Sequence, residues 1–477
     1  MKKIITKTIG LVLFTLFIAN LNSYSQSFDK EVFAQRRQQF MGKMSQGVAV
    51  FISPVVCNRN SDVDYPYRQN SDFYYLTGYT EPESAFILSP GSKNEFVMFV
   101  KARNPMTKMW TGEVCGIEGA MEKYGADTAF EFNQFSDMIT FFLRGKETIY
   151  YNMSDDGFND RISEVINYQW GSYPKQIINT SDLVHSMRII KSQEEIAMMQ
   201  KAIDATCDAH LEALRFTEPE KFEYEVKALI EYTFAKNNCP RNGFPSIVAS
   251  GSNATILHYE GQQRKMENGD LLLMDIGAEY GYYSADITRT IPVNGKFTKT
   301  QKTVYEIVLA TQELGIKMME KGVGIQKVVN RMTEFASEEL YNLGLITDKT
   351  SEWQSRLWYF PYTCHWLGLD VHDVQGDVEM NEDGVILQPG MVTTIEPGLY
   401  INPENLNNLE QMLNMYRIKI SSKEIEEFIK KVQPVVKQYA NIGIRIEDDI
   451  LITDEGNRVL SSKAPKTVKD IEYIMNQ

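Results

Sequence analysis

The chain has 477 residues, 43% of them hydrophobic, and carries 49 basic against 63 acidic side chains, a net charge of −14. This length allows two or three domains with sizeable cores. Because a field of this sign repels phosphate backbones and anionic membrane surfaces, we do not expect nucleic acid as a partner.

The amino terminus has the pattern of a secretory signal. Three lysines precede an apolar run over residues 9–21, and Ser23-Tyr24-Ser25 forms a small-x-small cleavage site. The apolar run is short for a bilayer span of about 20 residues, and no Cys directly follows it to take a lipid. We therefore predict that residues 1–25 are a signal peptide and that the protein is exported, to the periplasm or beyond the cell.

Residues 28–182 are predicted to form an amino-terminal α/β domain. Helical periodicity over residues 31–44 is followed by short apolar strands such as residues 48–52 and 95–100. A domain of this length is common.

A second domain is predicted over residues 190–477, opened by a long helix. Ser192-Gln-Glu-Glu195 is a capping-box pattern ahead of a periodic apolar run. Further helices are expected near 222–237 and 302–320, followed by strand pairs separated by Gly and Pro. This domain is therefore expected to be α+β with mostly antiparallel strands.

Residues 402–440 interrupt the pattern of the second domain. They are rich in Asn, Glu and Lys and contain a second capping pattern that begins at Ser421. We interpret them as a helical insertion.

Two aspartates lie inside predicted strands of the second domain. Asp275 is in the apolar run 271–277, and Asp286 is in residues 282–292. A two-residue loop at Tyr280-Gly281 would place the two acids directly opposite each other, where ionised carboxylates destabilise a hairpin unless a cation lies between them or one is protonated. A bulge or a longer loop would instead leave one of them facing solvent, and the spacing alone does not decide.

Two further acids follow apolar strands near the carboxyl terminus. In residues 442–447 the isoleucines alternate with other residues, so Arg445 and Glu447 share the face opposite to them. Residues 391–396 form another apolar run that ends in Glu396, before a Pro-Gly turn.

Histidines complete the candidate ligands. His258, His365 and His372 lie among apolar or Gly neighbours, where a lone His is more often a core residue than a ligand. An oxygen-rich set with one imidazole favours Mn²⁺, with Co²⁺, Zn²⁺, Fe²⁺ or Mg²⁺ as alternatives. The five cysteines are scattered and form no Cys-x-x-Cys pair, so neither a thiolate site nor a disulfide framework is predicted.

These segments resemble the pita-bread metallopeptidases, and among them the Xaa-Pro aminopeptidases (aminopeptidase P). The ligand set of that family falls in order on five segments, which contain Asp275, Asp286, His365, Glu396 and Glu447. The amino-terminal segments Asp64–Gly78 and Met109–Gly112 also match, which favours aminopeptidase P over methionine aminopeptidase. The resemblance covers nearly the whole mature chain and implies a pita-bread (creatinase/aminopeptidase-like) catalytic domain.

The resemblance also implies the roles of the metal ligands. Two divalent ions, Mn²⁺ being favoured over Co²⁺ or Zn²⁺, would be bridged by Asp286 and Glu447. One ion would also be held by Asp275, and the other by His365 and Glu396. The substrates would be peptides with Pro at position two.

Further residues are assigned to catalysis and substrate binding by the same resemblance. Glu396 would accept the proton of the attacking water, His372 would donate to the oxyanion, and His258 would hold the carbonyl on the proline side. We also predict that Arg445 takes part in catalysis and that Tyr400 binds the substrate. Trp110 would reach over the active site of a neighbouring subunit in a dimer or tetramer, or else it is a core aromatic of its own domain.

One departure from the family pattern lies next to His365. The family usually has His-Gly four residues upstream of this ligand, whereas this chain has Pro361-Tyr362. That change puts proton shuttling and the width of the substrate site in question. Two rival functions remain: a prolidase that cleaves only Xaa-Pro dipeptides, and a catalytically inactive pita-bread binding module.

Overall fold

The structure is a computed structural model that describes residues 27–153, 159–160, 162, 174–415 and 417–477. The predicted signal peptide lies outside the described residues. The chain divides into two compact units between Val184 and His185.

The first unit contains a mixed six-stranded sheet. Val48–Ile52 pairs antiparallel with Ala85–Leu88 and parallel with Thr148–Tyr151. Every residue of Phe96–Val100 is buried, as expected of an apolar strand that is covered on both faces. The strands lie in the order Thr128–Glu131, Phe96–Val100, Ala85–Leu88, Val48–Ile52, Thr148–Tyr151 and Gln176–Asn179. The pair Asn58–Asn60 and Val63–Asp64 is separate and exposed.

Helices pack on this sheet through an apolar core that includes Val50, Ile87, Phe99 and Ile139. The α-helices are Lys30–Lys43, Ser71–Thr77, Pro105–Thr111, Gly116–Tyr124 and Phe135–Leu143, with a 3₁₀ turn at Phe132–Gln134. The helix Thr180–Arg188 spans the division between the units. The expected α/β character of this part of the chain is confirmed.

The first helix that lies wholly within the second unit is the expected long helix, Gln193–Phe216. Ser192 caps it: the Ser192 hydroxyl accepts from the backbone N–H of Glu195, and the Glu195 carboxylate accepts from the backbone N–H of Ser192. The other helices before the insertion are Glu223–Lys236, Lys299–Met318, Ile325–Leu343 and Glu352–Ser355, with a 3₁₀ segment at Gly251–Thr255, and Val468–Met475 closes the chain.

The strands of this unit form small antiparallel sheets, and each pairing among its described residues is antiparallel. The strands, by sheet, are Ile247–Ser250, Leu271–Ile276 and Ile287–Pro292; Arg241–Asn242, Ala278–Tyr280 and Tyr283–Ser284; Val392–Ile395, Asp448–Thr453 and Gly456–Val459; Gly398–Ile401 and Ile442–Arg445; Met380–Asn381 and Gly384–Val385. The α+β expectation for the second domain is confirmed.

Residues 402–440 lie between two strands that pair with each other. Ile401 is the ladder partner of Ile442, so the segment leaves and re-enters one hairpin. It contains the helices Glu404–Asn407, Leu409–Met415 and Ser422–Gln438. The Ser421 hydroxyl accepts from the backbone N–H of Glu424 at the start of the last helix.

No helix in the described ranges combines the length and the apolar character needed to cross a bilayer.

Candidate metal centre

Asp275 and Asp286 lie on one face of a buried antiparallel pair, but they are not opposite each other. The ladder partner of Asp275 is Thr288, and Ile276 is opposite Ile287. Because side chains alternate along a strand, Asp286 lies on the same face as Thr288, diagonal to Asp275. The predicted face-to-face register is wrong by two residues.

The turn explains this difference. Tyr280 pairs with Tyr283, so the two-residue loop is Gly281-Tyr282 rather than Tyr280-Gly281. Both loop residues have positive φ, +54° and +73°, as a type I′ hairpin turn requires. Moving the loop by one residue moves every cross-strand partner by two.

The other acids arrive from strands that pack beside this pair. Glu447 lies between the strands Ile442–Arg445 and Asp448–Thr453, and its backbone N–H donates to Thr288 O at 3.1 Å. Glu396 directly follows the strand Val392–Ile395, and its backbone N–H donates to Thr363 O at 2.9 Å. The segment that carries His365 runs alongside that strand.

Three carboxylates lie close to the imidazole of His365. Its Nε2 lies 3.3 Å from Asp286 Oδ2, 3.4 Å from Glu396 Oε1 and 3.9 Å from Glu447 Oε1. One ligand atom each from Asp286, His365 and Glu447 fall within 4.8 Å of one another. These distances bring four of the five predicted ligands to one point.

The imidazole is oriented for coordination through Nε2. Nδ1 lies 3.1 Å from Trp366 O, a contact in which Nδ1–H donates. Burial, together with the neighbouring His372, lowers the pKa of His365 to about 4. The neutral ring therefore keeps the Nε2 lone pair available near neutral pH.

The carboxylates repel one another in the absence of a cation. Burial raises the pKa of Asp286 well above its ordinary value, and the charges of Glu447 and Asp275 raise it further. Burial also raises the pKa of Glu396, to about 8, against the opposing charge of Arg445. The pKa of Glu447 is raised by burial and by Glu396 and Asp275. Such a cluster gains most from a bound cation, which removes the repulsion.

Unpaired oxygens show where a cation fits. Asp275 Oδ1, Asp286 Oδ1 and Glu447 Oε1 are buried and accept no hydrogen bond from any described part of the chain. Buried polar atoms are almost always satisfied, so unpaired oxygens from three separate segments indicate that a further binding partner fits there. The donor set therefore fits divalent metal ions that prefer oxygen and imidazole ligands.

Asp275 is held by Arg445. The Arg445 guanidinium donates to Asp275 Oδ2, to Tyr400 Oη at 2.8 Å and to Thr288 Oγ1 at 3.1 Å. The Thr288 hydroxyl in turn donates to Glu447 Oε2 at 2.7 Å. All of these side chains are buried, so Arg445 and Thr288 fix the orientation of two candidate metal ligands at once.

A second buried ion pair involves Asp448, the first residue of the strand Asp448–Thr453. The Arg289 guanidinium donates to Asp448 Oδ1 at 2.7 Å, and Lys466 lies 2.7 Å from Asp448 Oδ2. Burial opposes ionisation of Asp448, but Arg289 and Lys466 outweigh it and lower its pKa to about 2. Asp448 follows Glu447 directly, so this pair fixes the backbone that carries the ligand.

A cavity of about 530 Å³ opens over the candidate metal ligands. His258 and His372 lie on its wall, and the ring of His372 packs edge-on against that of His365 with centroids 4.4 Å apart. All five predicted ligands, together with Arg445 and Tyr400, also line it. The cavity therefore brings together every predicted site residue of the second unit.

Trp110 belongs to the first unit, on the helix Pro105–Thr111. Its side chain is 77% exposed, and no residue of this helix is buried. The alternative that Trp110 is a core aromatic is therefore wrong.

Several residues of the cavity were not predicted from the sequence. Phe244, Leu257 and Val371 give it apolar surface, and Phe360 and Tyr362 form an aromatic pair with centroids 5.1 Å apart. Among these residues, Tyr362 belongs to the departure Pro361-Tyr362 from the family pattern. Thr288 could have been found from strand alternation, since it lies two residues after Asp286.

Comparison with protein families gives two matches. Residues 197–454, more than half of the chain, match the model of metallopeptidase family M24. Residues 33–150 match the aminopeptidase P N-terminal domain.

Relatives match over nearly the whole chain. The Xaa-Pro aminopeptidase of Escherichia coli K12 is 36% identical, over 94% of this chain and 98% of that protein. Human Xaa-Pro aminopeptidase 3 is 28% identical, over 93% and 83%. The structure of Pseudomonas aeruginosa aminopeptidase PepP has a TM-score of 0.85 at 33% identity, over 95% and 99%. That of Escherichia coli aminopeptidase P with the inhibitor Pro-Leu has a TM-score of 0.83 at 34% identity, over 94% and 99%.

Proposed function

The chain belongs to metallopeptidase family M24 and is a metalloaminopeptidase with an aminopeptidase P amino-terminal domain, and on that premise we propose that it removes the N-terminal residue from peptides that have proline second. Its catalytic domain has the pita-bread fold. The relatives named Xaa-Pro aminopeptidase support this substrate class.

The observation that carries the proposal is the floor of the cavity. Three buried carboxylates with unpaired oxygens lie there beside a neutral imidazole. The cavity above them is largely apolar, and its volume suits a short peptide. Divalent cations bound there lower the pKa of water towards neutrality and polarise a carbonyl. Asp275, Asp286, His365, Glu396 and Glu447 would hold two such ions. The absence of a thiolate among these residues favours Mn²⁺, with Co²⁺ or Zn²⁺ as alternatives.

The remaining side chains of the cavity have separable tasks. Glu396, directly after its strand, would accept a proton from the attacking water. His372 would donate to the oxyanion that develops on the scissile carbonyl, and His258 would hold the carbonyl on the proline side. Arg445 positions Asp275 and Tyr400 from below.

We also propose a homo-oligomer, a dimer or tetramer, in which Trp110 covers a neighbouring subunit's cavity. Met106, Met109 and Trp110 are 59%, 68% and 77% exposed on one short helix. Three large, exposed apolar side chains grouped on one helix are typical of a contact site. Export to the periplasm, or secretion, is proposed from the signal pattern of residues 1–25.

The test is a comparison of peptides that differ in length and in the second residue. The mature chain, loaded in parallel with Mn²⁺, Co²⁺ or Zn²⁺, is assayed on Xaa-Pro, Xaa-Pro-Xaa and Xaa-Ala-Xaa peptides. We expect the proline tripeptide to be cleaved and the alanine tripeptide to be spared. Cleavage of the dipeptide alone would identify a prolidase instead. The Glu396→Gln variant serves as the inactive control for contaminating peptidases.

A further inference from the structure

One wall of the cavity is a segment with little regular structure. After the 3₁₀ turn Gly251–Thr255 it continues as an irregular chain to Arg264, and Leu257, His258 and Glu260 from this stretch line the cavity. His258 and Glu260 are exposed. A stretch of this kind has no ladder of backbone hydrogen bonds to fix the direction of His258.

The start of the segment is fixed by packing. Ala254 is fully buried, and a Cβ at Gly443 would lie 2.0 Å from Ala254 O, so the strand behind the segment approaches it as closely as only glycine allows. This restraint ends at Thr255. Ile256 is 47% exposed, so the portion that carries His258 needs another anchor.

Glu223, the first residue of the helix Glu223–Lys236, supplies that anchor. Its carboxylate is fully buried and accepts five hydrogen bonds. Oε1 accepts from Ser250 N and Ser250 Oγ, both at 2.7 Å, and from Asn253 Nδ2 at 3.1 Å. Oε2 accepts from Tyr259 Oη at 3.0 Å and from Arg264 N at 3.1 Å.

These donors lie at the beginning, middle and end of the segment. Ser250 and Asn253 precede the exposed portion, Arg264 closes it, and Tyr259 directly follows His258. The Arg264 guanidinium donates to Ser250 Oγ and Asp270 and is not among the donors to Glu223. Hydroxyl, amide and backbone N–H groups thus satisfy the hydrogen-bonding capacity of the buried Glu223 carboxylate. Each of these donors in turn needs a carboxylate oxygen as its acceptor.

We propose that Glu223 is a positioning residue for His258: it holds the segment 250–264 in the conformation that directs His258 into the cavity. This inference rests on the proposed function, because His258 is given a task there. Glu223 itself does not line the cavity, so it acts only through the segment. Among the donors to Glu223, Tyr259 is the residue adjacent to His258 in sequence.

The first test is a double-mutant cycle with Glu223→Gln and His258→Ala. An amide has one acceptor oxygen, so at least two of the five donors lose their partner. We expect Glu223→Gln to lower kcat/KM by about 10- to 100-fold, the range expected when a catalytic group is misplaced by roughly 1 Å. The loss should be divided between kcat and KM in the same way as in His258→Ala. In the His258→Ala background it should change kcat/KM by less than about twofold.

Tyr259→Phe and Glu195→Gln complete the design. Tyr259→Phe removes a single donor, keeps the ring and should give a smaller change in the same direction. Glu195 is a buried carboxylate elsewhere in the unit that accepts from Tyr283 Oη and Ser192 N, and it does not line the cavity. Glu195→Gln is expected to lower the melting temperature without reproducing the kinetic pattern. Metal content should be unchanged in all of these variants.

Hydrogen exchange provides a readout that does not depend on activity. Glu223→Gln should accelerate exchange of the amides of residues 251–264, while those of the strand Leu271–Ile276 stay protected. Multiplicative effects of Glu223→Gln and His258→Ala would overturn the proposal, as would a wild-type rate in either single variant or unchanged exchange. Failure of the wild-type enzyme to cleave any Xaa-Pro peptide would instead refute the proposed function, and the exchange measurement would still decide whether Glu223 holds the segment.

Discussion

Arg445 donates a hydrogen bond to Asp275 across 170 positions of sequence, and the other oxygen of that carboxylate, Oδ1, accepts none from the described chain. One oxygen of Asp275 is therefore engaged by the protein, and the other is available to a metal ion. Because both side chains are buried, this contact is hardly screened by solvent.

Replacing Arg445 with Ala should weaken metal binding as well as catalysis. Asp275 and Thr288 lose their donor, and residues that orient metal ligands typically contribute about 10–100-fold in metal affinity or activity. Arg445→Lys keeps the charge but cannot reach all three acceptors, so we expect partial rescue. Titration calorimetry of the metal-free protein measures this effect, with Arg241→Lys as a partly exposed control. Wild-type affinity in Arg445→Ala would contradict the orienting role.

Asp286→Ala and Glu447→Ala should each abolish activity and lower the metal content. Each residue is proposed to bridge two ions, so its loss affects both. Metal analysis of the purified variants measures the stoichiometry, and Glu379→Ala provides an exposed acidic control. Retention of two ions per chain in either variant would refute the bridging assignment.

His372→Ala should keep its metals but turn over more slowly. A donor to a developing oxyanion typically contributes about 10²–10³ in rate. The measurement is kcat on a proline tripeptide alongside metal analysis of the same preparation. Loss of metal from this variant would mean that His372 is a ligand rather than a donor.

Trp110→Ala should impair peptide cleavage without unfolding the protein. An exposed side chain contributes little to stability, so the change in unfolding free energy should stay within about 0.5 kcal/mol. Phe141 is 74% exposed in the same unit, and Phe141→Ala is therefore the matched control. Melting curves, peptide kinetics and light scattering on both variants compare stability, activity and assembly. Unaltered kinetics of Trp110→Ala in an intact oligomer would contradict the role in trans.

Asp373→Asn should destabilise the protein in a pH-dependent way. Asp373 pairs with Arg188 and Lys191, and the side chains of all three are at most 3% exposed. Burial opposes ionisation of Asp373, but the charges of Lys191 and Arg188 outweigh it and hold its pKa below the ordinary value. Breaking a buried pair typically costs about 3–5 kcal/mol, because Lys191 and Arg188 lose a buried counter-charge.

The direction of the pH dependence of stability follows from the lowered pKa of Asp373. Its contribution is fully present above the pKa of the unfolded chain, about 3.9, and is lost as the pH falls through the lower folded value. Denaturant unfolding at pH 7 and at acidic pH should therefore show a large difference between wild type and Asp373→Asn at pH 7 that shrinks in acid. A constant difference across this range would contradict the assignment. Asp370, which also pairs with Arg188, is the other acidic group of this cluster.

Local patterns were sufficient to predict much of the fold. The capping residues Ser192 and Ser421 mark true helix starts, because capping depends only on neighbours three residues away. The alternation of residues 442–447 correctly separates Arg445 and Glu447 from the isoleucines, and all of these residues prove to be buried. That outcome follows from packing on both faces, which alternation does not reveal.

Register and cavity shape could not be predicted in the same way. The hairpin after Asp275 turns at Gly281-Tyr282, and a Tyr at positive φ is unusual enough that no turn rule would choose it. The placement of Phe360 and Tyr362 on the cavity wall depends on how the segment before His365 packs beside the strand Gly398–Ile401. Contacts between segments that are far apart in the sequence cannot be predicted from local sequence patterns.

The pairing of Ile401 with Ile442 makes the catalytic domain modular. The chain departs and returns at adjacent positions of one ladder, so the intervening helices close a loop whose entropic cost rises only slowly with its length. Glu396 and Arg445 therefore keep their separation in space however many residues lie between them in sequence. This point of the fold can gain, lose or exchange whole helices during evolution while the chemistry beneath it is inherited unchanged.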